Sequence, residues 1–192
     1  MRWFIAGLCL SAISLMAAEV PRPSPEYVFT LQGGKQDLLS SYKGKVVVLE
    51  FLFTTCPHCQ KSATLLSKLQ KEYGAKGLQV LGVAINPDPD LAGFTRQYAT
   101  SFPVGAGTRD SAFNFLQQSV MAANFYVPQM VFIDKKGVIR AQYNGTDPFL
   151  GDQQETNMRN MITQLLAEPG ASKAAPAKTT PAKPKPAKRV AS

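Results

Sequence analysis

Two cysteines carry the first chemical signal in this chain. They stand in Cys56-Pro57-His58-Cys59, directly after a near-continuous apolar run, Val46–Phe53. A thiolate is the reactive form of cysteine, and the free N–H groups at the start of a helix stabilise its charge. Pro57 suits a first helical position, because the amide hydrogen it lacks would have no partner there. The spacing predicts a helix starting at Pro57, with Cys56 at its positive end and its thiolate stabilised. Cys59 lies one turn further, close enough to attack a mixed disulfide on Cys56. His58 can add a positive charge or a donor near the Cys56 sulfur. Two other uses of this spacing weigh less. Structural zinc needs four ligands, and His58 is the only histidine of the chain. A purely structural disulfide across so short a loop removes little unfolded-state entropy. Redox chemistry of a Cys56–Cys59 disulfide is left, with no metal and no further cofactor.

Glu50 is the second signal. It interrupts Val-Val-Val-Leu-Glu-Phe-Leu-Phe six residues before Cys56. A carboxylate in a buried strand is costly, and burial raises its pKa. Such a group can accept and return a proton, here for Cys59. The competing reading is an edge strand or bulge that leaves Glu50 wet.

The elements that must hold these residues follow from periodicity. Val46–Phe53 reads as a strand buried on both faces, as in the middle of a parallel sheet. Pro57 to about Tyr73 reads as a helix with Ala63, Leu66, Leu69 and Tyr73 on one stripe. Tyr27–Leu31 and Gln36–Leu38 flank Gly33-Gly34 as a hairpin. Leu78–Ile85 is a second buried strand, and Asp90 can cap a helix carrying Leu91, Phe94 and Tyr98. Pro103–Gly105 suggests a short strand and Asp110–Gln117 a helix. Met130–Asp134 and Val138–Tyr143 form a hairpin around Lys135-Lys136-Gly137, and Gly151–Ala167 is a last amphipathic helix. This order predicts an α/β sandwich with a mixed sheet.

Charge divides the chain. The formal net charge is +8 over 192 residues. No acid follows Glu168, whereas Lys173, Lys178, Lys183, Lys185, Lys188 and Arg189 do. Residues 19–168 hold nearly equal numbers of acids and bases, so the body gives no sign of binding nucleic acid. Residues 169–192, rich in Pro, Ala and Lys, read as a disordered tail. It is a solvated spacer or a contact to an anionic membrane or cell-wall surface. Residues 1–18 have the form of a secretory signal: Arg2, an apolar stretch from Trp3, and small residues at Ala17 and Ala18. If uncleaved, this segment anchors the protein to the membrane. Its removal takes Cys9 with it. The expected organisation is a signal peptide at 1–18, one domain at 19–168 and a tail at 169–192.

The strand, CxxC and helix, followed by Val127-Pro128 before another strand, resemble the thioredoxin superfamily. The resemblance implies a thioredoxin-like three-layer sandwich with a mixed central sheet and an N-terminal β-hairpin extension. It also implies a cis-proline at Pro128 facing the CxxC, with the Val127 backbone pairing to an extended substrate, and a buried acid at Glu50. Copper-carrying relatives of the fold use a wider cysteine spacing and a distant histidine, and this chain has neither. Lys43-Gly44-Lys45, the N-terminal hairpin and Phe132-Ile133-Asp134…Gly137 resemble the exported TlpA/ResA-type oxidoreductases. Leu49-Glu50-Phe51 and Cys56-Pro57-His58-Cys59 resemble DsbA. Thr55 stands where a tryptophan is common, and Ser62 where many ResA-type proteins carry an acid.

The resemblance implies a monomeric exported thiol–disulfide oxidoreductase, in a bacterial periplasm, acting on protein cysteines and recharged by an upstream redox partner. Its potential is expected nearer to that of DsbA, about −120 mV, than to that of thioredoxin, about −270 mV. A thiol peroxidase on the same fold is the alternative, but Phe53 occupies the place where peroxiredoxins put a threonine or serine. A non-catalytic, tethered binding module is a third. Asn144-Gly145-Thr146 also fits a glycosylation acceptor.

Overall fold

A computed structural model describes residues 19–119 and 124–170. The expected leader, 1–18, and nearly all of the expected tail lie outside the described residues. The strands are β1 (Arg22–Pro23), β2 (Val28–Leu31), β3 (Gln36–Leu38), β4 (Val46–Leu52), β5 (Leu78–Ala84), β6 (Val104–Ala106), β7 (Gln129–Ile133) and β8 (Val138–Tyr143). The α-helices are α1 (Pro57–Tyr73), α2 (Leu91–Gln97), α3 (Arg109–Leu116) and α4 (Gln154–Ala167). The eight strands form one sheet in the order β1-β8-β7-β4-β5-β6-β2-β3.

β4 lies inside this sheet, parallel to β5 and antiparallel to β7. All seven of its residues are buried. Its alternate side chains serve two separate cores, as the period of two along a strand requires. Val46, Val48 and Leu52 pack on the side covered by α1 and α4. Val47, Leu49 and Phe51 pack on the side covered by α3 and by Tyr27 and Phe29. Glu50 shares the parity of Val48 and Leu52, so it faces the α1 and α4 layer.

Local chemistry sets the helix ends. Pro57 opens α1 at its first turn. The Asp90 carboxylate caps α2 by accepting from the Gly93 amide, and Thr108 with Ser111 forms a capping box on α3. Two features differ from the sequence expectation. The last helix starts at Gln154 rather than Gly151, because Pro148–Leu150 forms a separate 3-10 turn capped by Asp147. The other is β1, for which the sequence carries no signal. It is two residues long and pairs with Ile139 and Val138 on the edge of β8. The buried Arg22 fixes it by donating to the Phe115 carbonyl at 2.9 Å and to Gln142 Oε1 at 3.1 Å.

Candidate active site

The loop between β4 and α1 is tied down before Cys56 is reached. Ile85 N–H donates to the Leu52 carbonyl, which keeps β4 and β5 paired to their ends. The Thr54 amide then donates to Asn86 Oδ1 at 3.0 Å, and Asn86 Nδ2 donates back to Thr54 Oγ1 at 3.2 Å. From the helix, Gln60 Nε2 donates to the Thr54 carbonyl at 3.0 Å. The Cys56 amide closes the turn on the Phe53 carbonyl at 3.1 Å. Asn86 and Gln60 thus brace the turn that presents the cysteine. Neither is marked out by motif or periodicity.

Cys56 is the N-cap residue of α1, in an extended conformation and with no side-chain capping bond. Its sulfur takes the place where a serine or aspartate oxygen would sit, beside the unpaired amides of the first turn. The residue is half-buried and a free thiol. Pro57 and His58 are both exposed beside it. Cys59 is fully buried on the inner face of α1. Burial pushes its thiol far up, and the Glu50 carboxylate adds to this, while a hydrogen bond involving the Phe53 backbone pulls the other way. One cysteine is therefore reachable, and the other ionises only with help.

Glu50 is completely buried, which removes the wet-edge reading. Neither carboxylate oxygen has a well-formed hydrogen bond among the described residues. Its ladder neighbours are Gly82 and Met130, which bring no charge. Burial pushes its carboxyl up to about 8, opposed only by the nearby Ser62 hydroxyl. A carboxyl poised near neutral pH beside a thiol that resists ionising can take that thiol's proton.

The Val127–Pro128 peptide bond is cis. Pro128 immediately precedes β7, whose Gln129 pairs with Phe51 near the end of β4. This register puts Val127-Pro128 at the same end of the sheet as Cys56. Cys56 and Val127 both rest, half-buried, on the core beneath α1. The approach to Val127 is also shaped from behind by Gly145. Its amide donates to the Tyr126 carbonyl, and a Cβ there would run into the Val127 carbonyl oxygen. The Asn144 carboxamide oxygen is turned inward onto the Thr146 amide and hydroxyl.

A thioredoxin-type sheet with a CxxC dithiol at the head of α1 defines a thiol–disulfide oxidoreductase. The Redoxin family model matches residues 19–162, and the chain belongs to that family. The thiol-disulfide oxidoreductase ResA of Geobacillus kaustophilus is 27% identical over 131 residues, covering 68% of this chain and 72% of that protein. ResA of Bacillus thuringiensis subsp. konkukian is 33% identical over 87 residues, 45% of this chain and 50% of that protein. The fold is shared with a putative thiol:disulfide interchange protein DsbE from Chlorobium tepidum, with a TM-score of 0.61 and 23% identity over 74% of this chain and 96% of that one. No helix among the described residues is long and apolar enough to cross a membrane.

Proposed function

We propose that Cys56 and Cys59 are the redox-active pair of an exported enzyme that exchanges disulfides with cysteines of other proteins. One observation carries this reading: a reachable cysteine caps α1, and its partner one turn on is buried where the Glu50 carboxylate acts on it. In the reducing direction the Cys56 thiolate attacks a substrate disulfide. The substrate S–S bond breaks, and a mixed disulfide forms on Cys56. Cys59 gives its proton to Glu50 and attacks the Cys56 sulfur, releasing the second substrate thiol. The two enzyme thiols become one disulfide as one substrate disulfide becomes two thiols. The oxidising direction is the reverse, with Glu50 returning the proton to Cys59.

Around this pair, Val127-Pro128 would dock an extended substrate segment through its backbone, and Pro57 and His58 would favour the Cys56 thiolate. A stabilised thiolate favours the reduced dithiol, which makes the disulfide an oxidant. The signal-like segment at 1–18 supports export, and the basic residues after Glu168 support contact with an anionic surface. A monomer recharged by an upstream redox partner fits these parts. Trapping tests the reading. Cys59→Ala should accumulate mixed disulfides with protein substrates, and Cys56→Ser should accumulate none. Equal capture by both variants contradicts it. A potential below about −250 mV at equilibrium with glutathione, close to that of thioredoxin, would reverse the oxidising poise.

A further inference from the structure

Gln129 follows the Val127-Pro128 pair directly and is only 2% exposed. It lies opposite Phe51 in the ladder, so its side chain enters the α3 face of the core. The exchange reaction described above gives it no task. A buried carboxamide needs partners for its donor and its acceptor, and this one has both. Its Nε2 donates to the Tyr126 carbonyl at 2.9 Å, and its Oε1 accepts from Gln118 Nε2 at 3.1 Å. The carboxamide cannot be reversed, because the Tyr126 carbonyl can only accept.

Both ends of this clasp are fixed. α3 closes with Gln117 in the left-handed region, at φ 53°, and the Gln118 amide then donates to the Phe113 carbonyl at 3.0 Å. That backbone is unfavourable for a residue with a side chain, and it sets where the Gln118 carboxamide starts. At the other end, the Tyr126 carbonyl also accepts from the Gly145 amide at 3.4 Å. Tyr126 is thus held by its main chain from two elements, while the residue stays 47% exposed. The held carbonyl shares its peptide plane with the Val127 N–H. In a trans peptide the two point in opposite directions. Drawing the carbonyl inward onto Gln129 therefore turns the Val127 N–H outward.

We infer that Gln129, clasped by Gln118, is the positioning residue that aims the Val127 N–H at an extended substrate segment. It thereby sets a preference for polypeptide disulfides over small ones. The inference rests on the docking role given to Val127-Pro128 above. Neither glutamine takes part in the exchange of sulfurs.

The test compares two substrates of the full-length protein, with dithiothreitol as reductant. One is an extended peptide whose cysteine is joined to mercaptoethanol. The other is hydroxyethyl disulfide, which offers the same leaving thiol and no backbone to pair. The wild type should favour the peptide in kcat/KM. Gln129→Met keeps the length and loses both hydrogen bonds. It should lower that preference about tenfold, with the loss in KM rather than in kcat. Gln118→Met removes one bond and should lower it about threefold. Gln118→Lys, whose amine can still donate to Gln129, should restore it. If Gln129→Met does not fold, the Gln118 pair decides. A preference kept to within about twofold in the methionine variants overturns the clasp alone. A loss that Gln118→Lys does not restore, or that falls on kcat with both substrates, also overturns it. A wild type that treats the two substrates alike overturns docking at Val127-Pro128, and the clasp with it.

Discussion

The two faces of β4 are made from one strand and put to opposite uses. On the α3 side, Phe51 meets Tyr27 and Phe115 edge-on, with centroids 5.1 and 5.7 Å away. Tyr27 and Phe115 also meet each other edge-on, closing an aromatic triangle. The polar atom there is answered, since the Tyr27 hydroxyl bonds Ser111 at 2.9 Å. On the α1 side, one residue earlier in the strand, Glu50 is buried with neither oxygen in a well-formed hydrogen bond. A poorly satisfied buried carboxyl costs stability. The fold tolerates it beside Cys59 because the opposite face is packed with large apolar side chains. Stability and chemistry are thus separated by the pleat of a single strand.

The separation can be broken from either side. The largest effect is expected at the reachable thiol. Cys56→Ser should cut disulfide exchange on the order of a thousandfold or more, with little change in melting temperature, as followed by turnover of a protein disulfide. Phe51→Ala should do the reverse. Loss of the aromatic contacts should cost about 3–5 kcal/mol of unfolding free energy, while the folded variant keeps its exchange rate and pH profile. If Phe51→Ala changes the pH profile instead, the two faces are not independent.

Glu50→Gln sharpens the comparison because it should act on both quantities with opposite sign. It should slow resolution of the mixed disulfide about a hundredfold near neutral pH. It should also stabilise the fold, and the pH window follows from linkage. The folded carboxyl holds its proton up to about 8, against 4.5 for an unperturbed carboxyl. Between those values the folded state binds more protons than the unfolded one, so stability falls as pH rises through the window. The gain from Glu50→Gln should be absent below about pH 4.5 and on the order of several kcal/mol near pH 8, measured by denaturant melts at both pH values. The smallest effect is expected at Gly145. Gly145→Ala would push on the Val127 carbonyl, costing about 1 kcal/mol of stability and raising KM more than it lowers kcat.

Much of this arrangement is legible in the order of the residues. The run around Glu50 is too apolar for an edge, and the CxxC follows it directly, so β4, α1 and their junction can be read with their ends. What is illegible depends on residues far apart in sequence. Asn86 braces Thr54 across 32 positions, and Gln154 reaches Ser62 across 92. Neither leaves a periodic trace. β1 is two residues on a sheet edge, and its Arg22 looks like any surface arginine until Phe115 and Gln142 are placed beside it. Gly145 reads as a turn glycine, whereas the fold gives it the further burden of clearing the Val127 carbonyl.

The central claim is that the buried Glu50 carboxylate takes the proton of Cys59. Its most direct test is the rate of mixed-disulfide resolution against pH, in the wild type and in Glu50→Gln, followed by rapid alkylation of the freed thiols. The wild-type rate should rise through an inflection near the Glu50 value of about 8, and Glu50→Gln should lose that inflection and climb only at much higher pH. Superimposable profiles for the two proteins would contradict the claim.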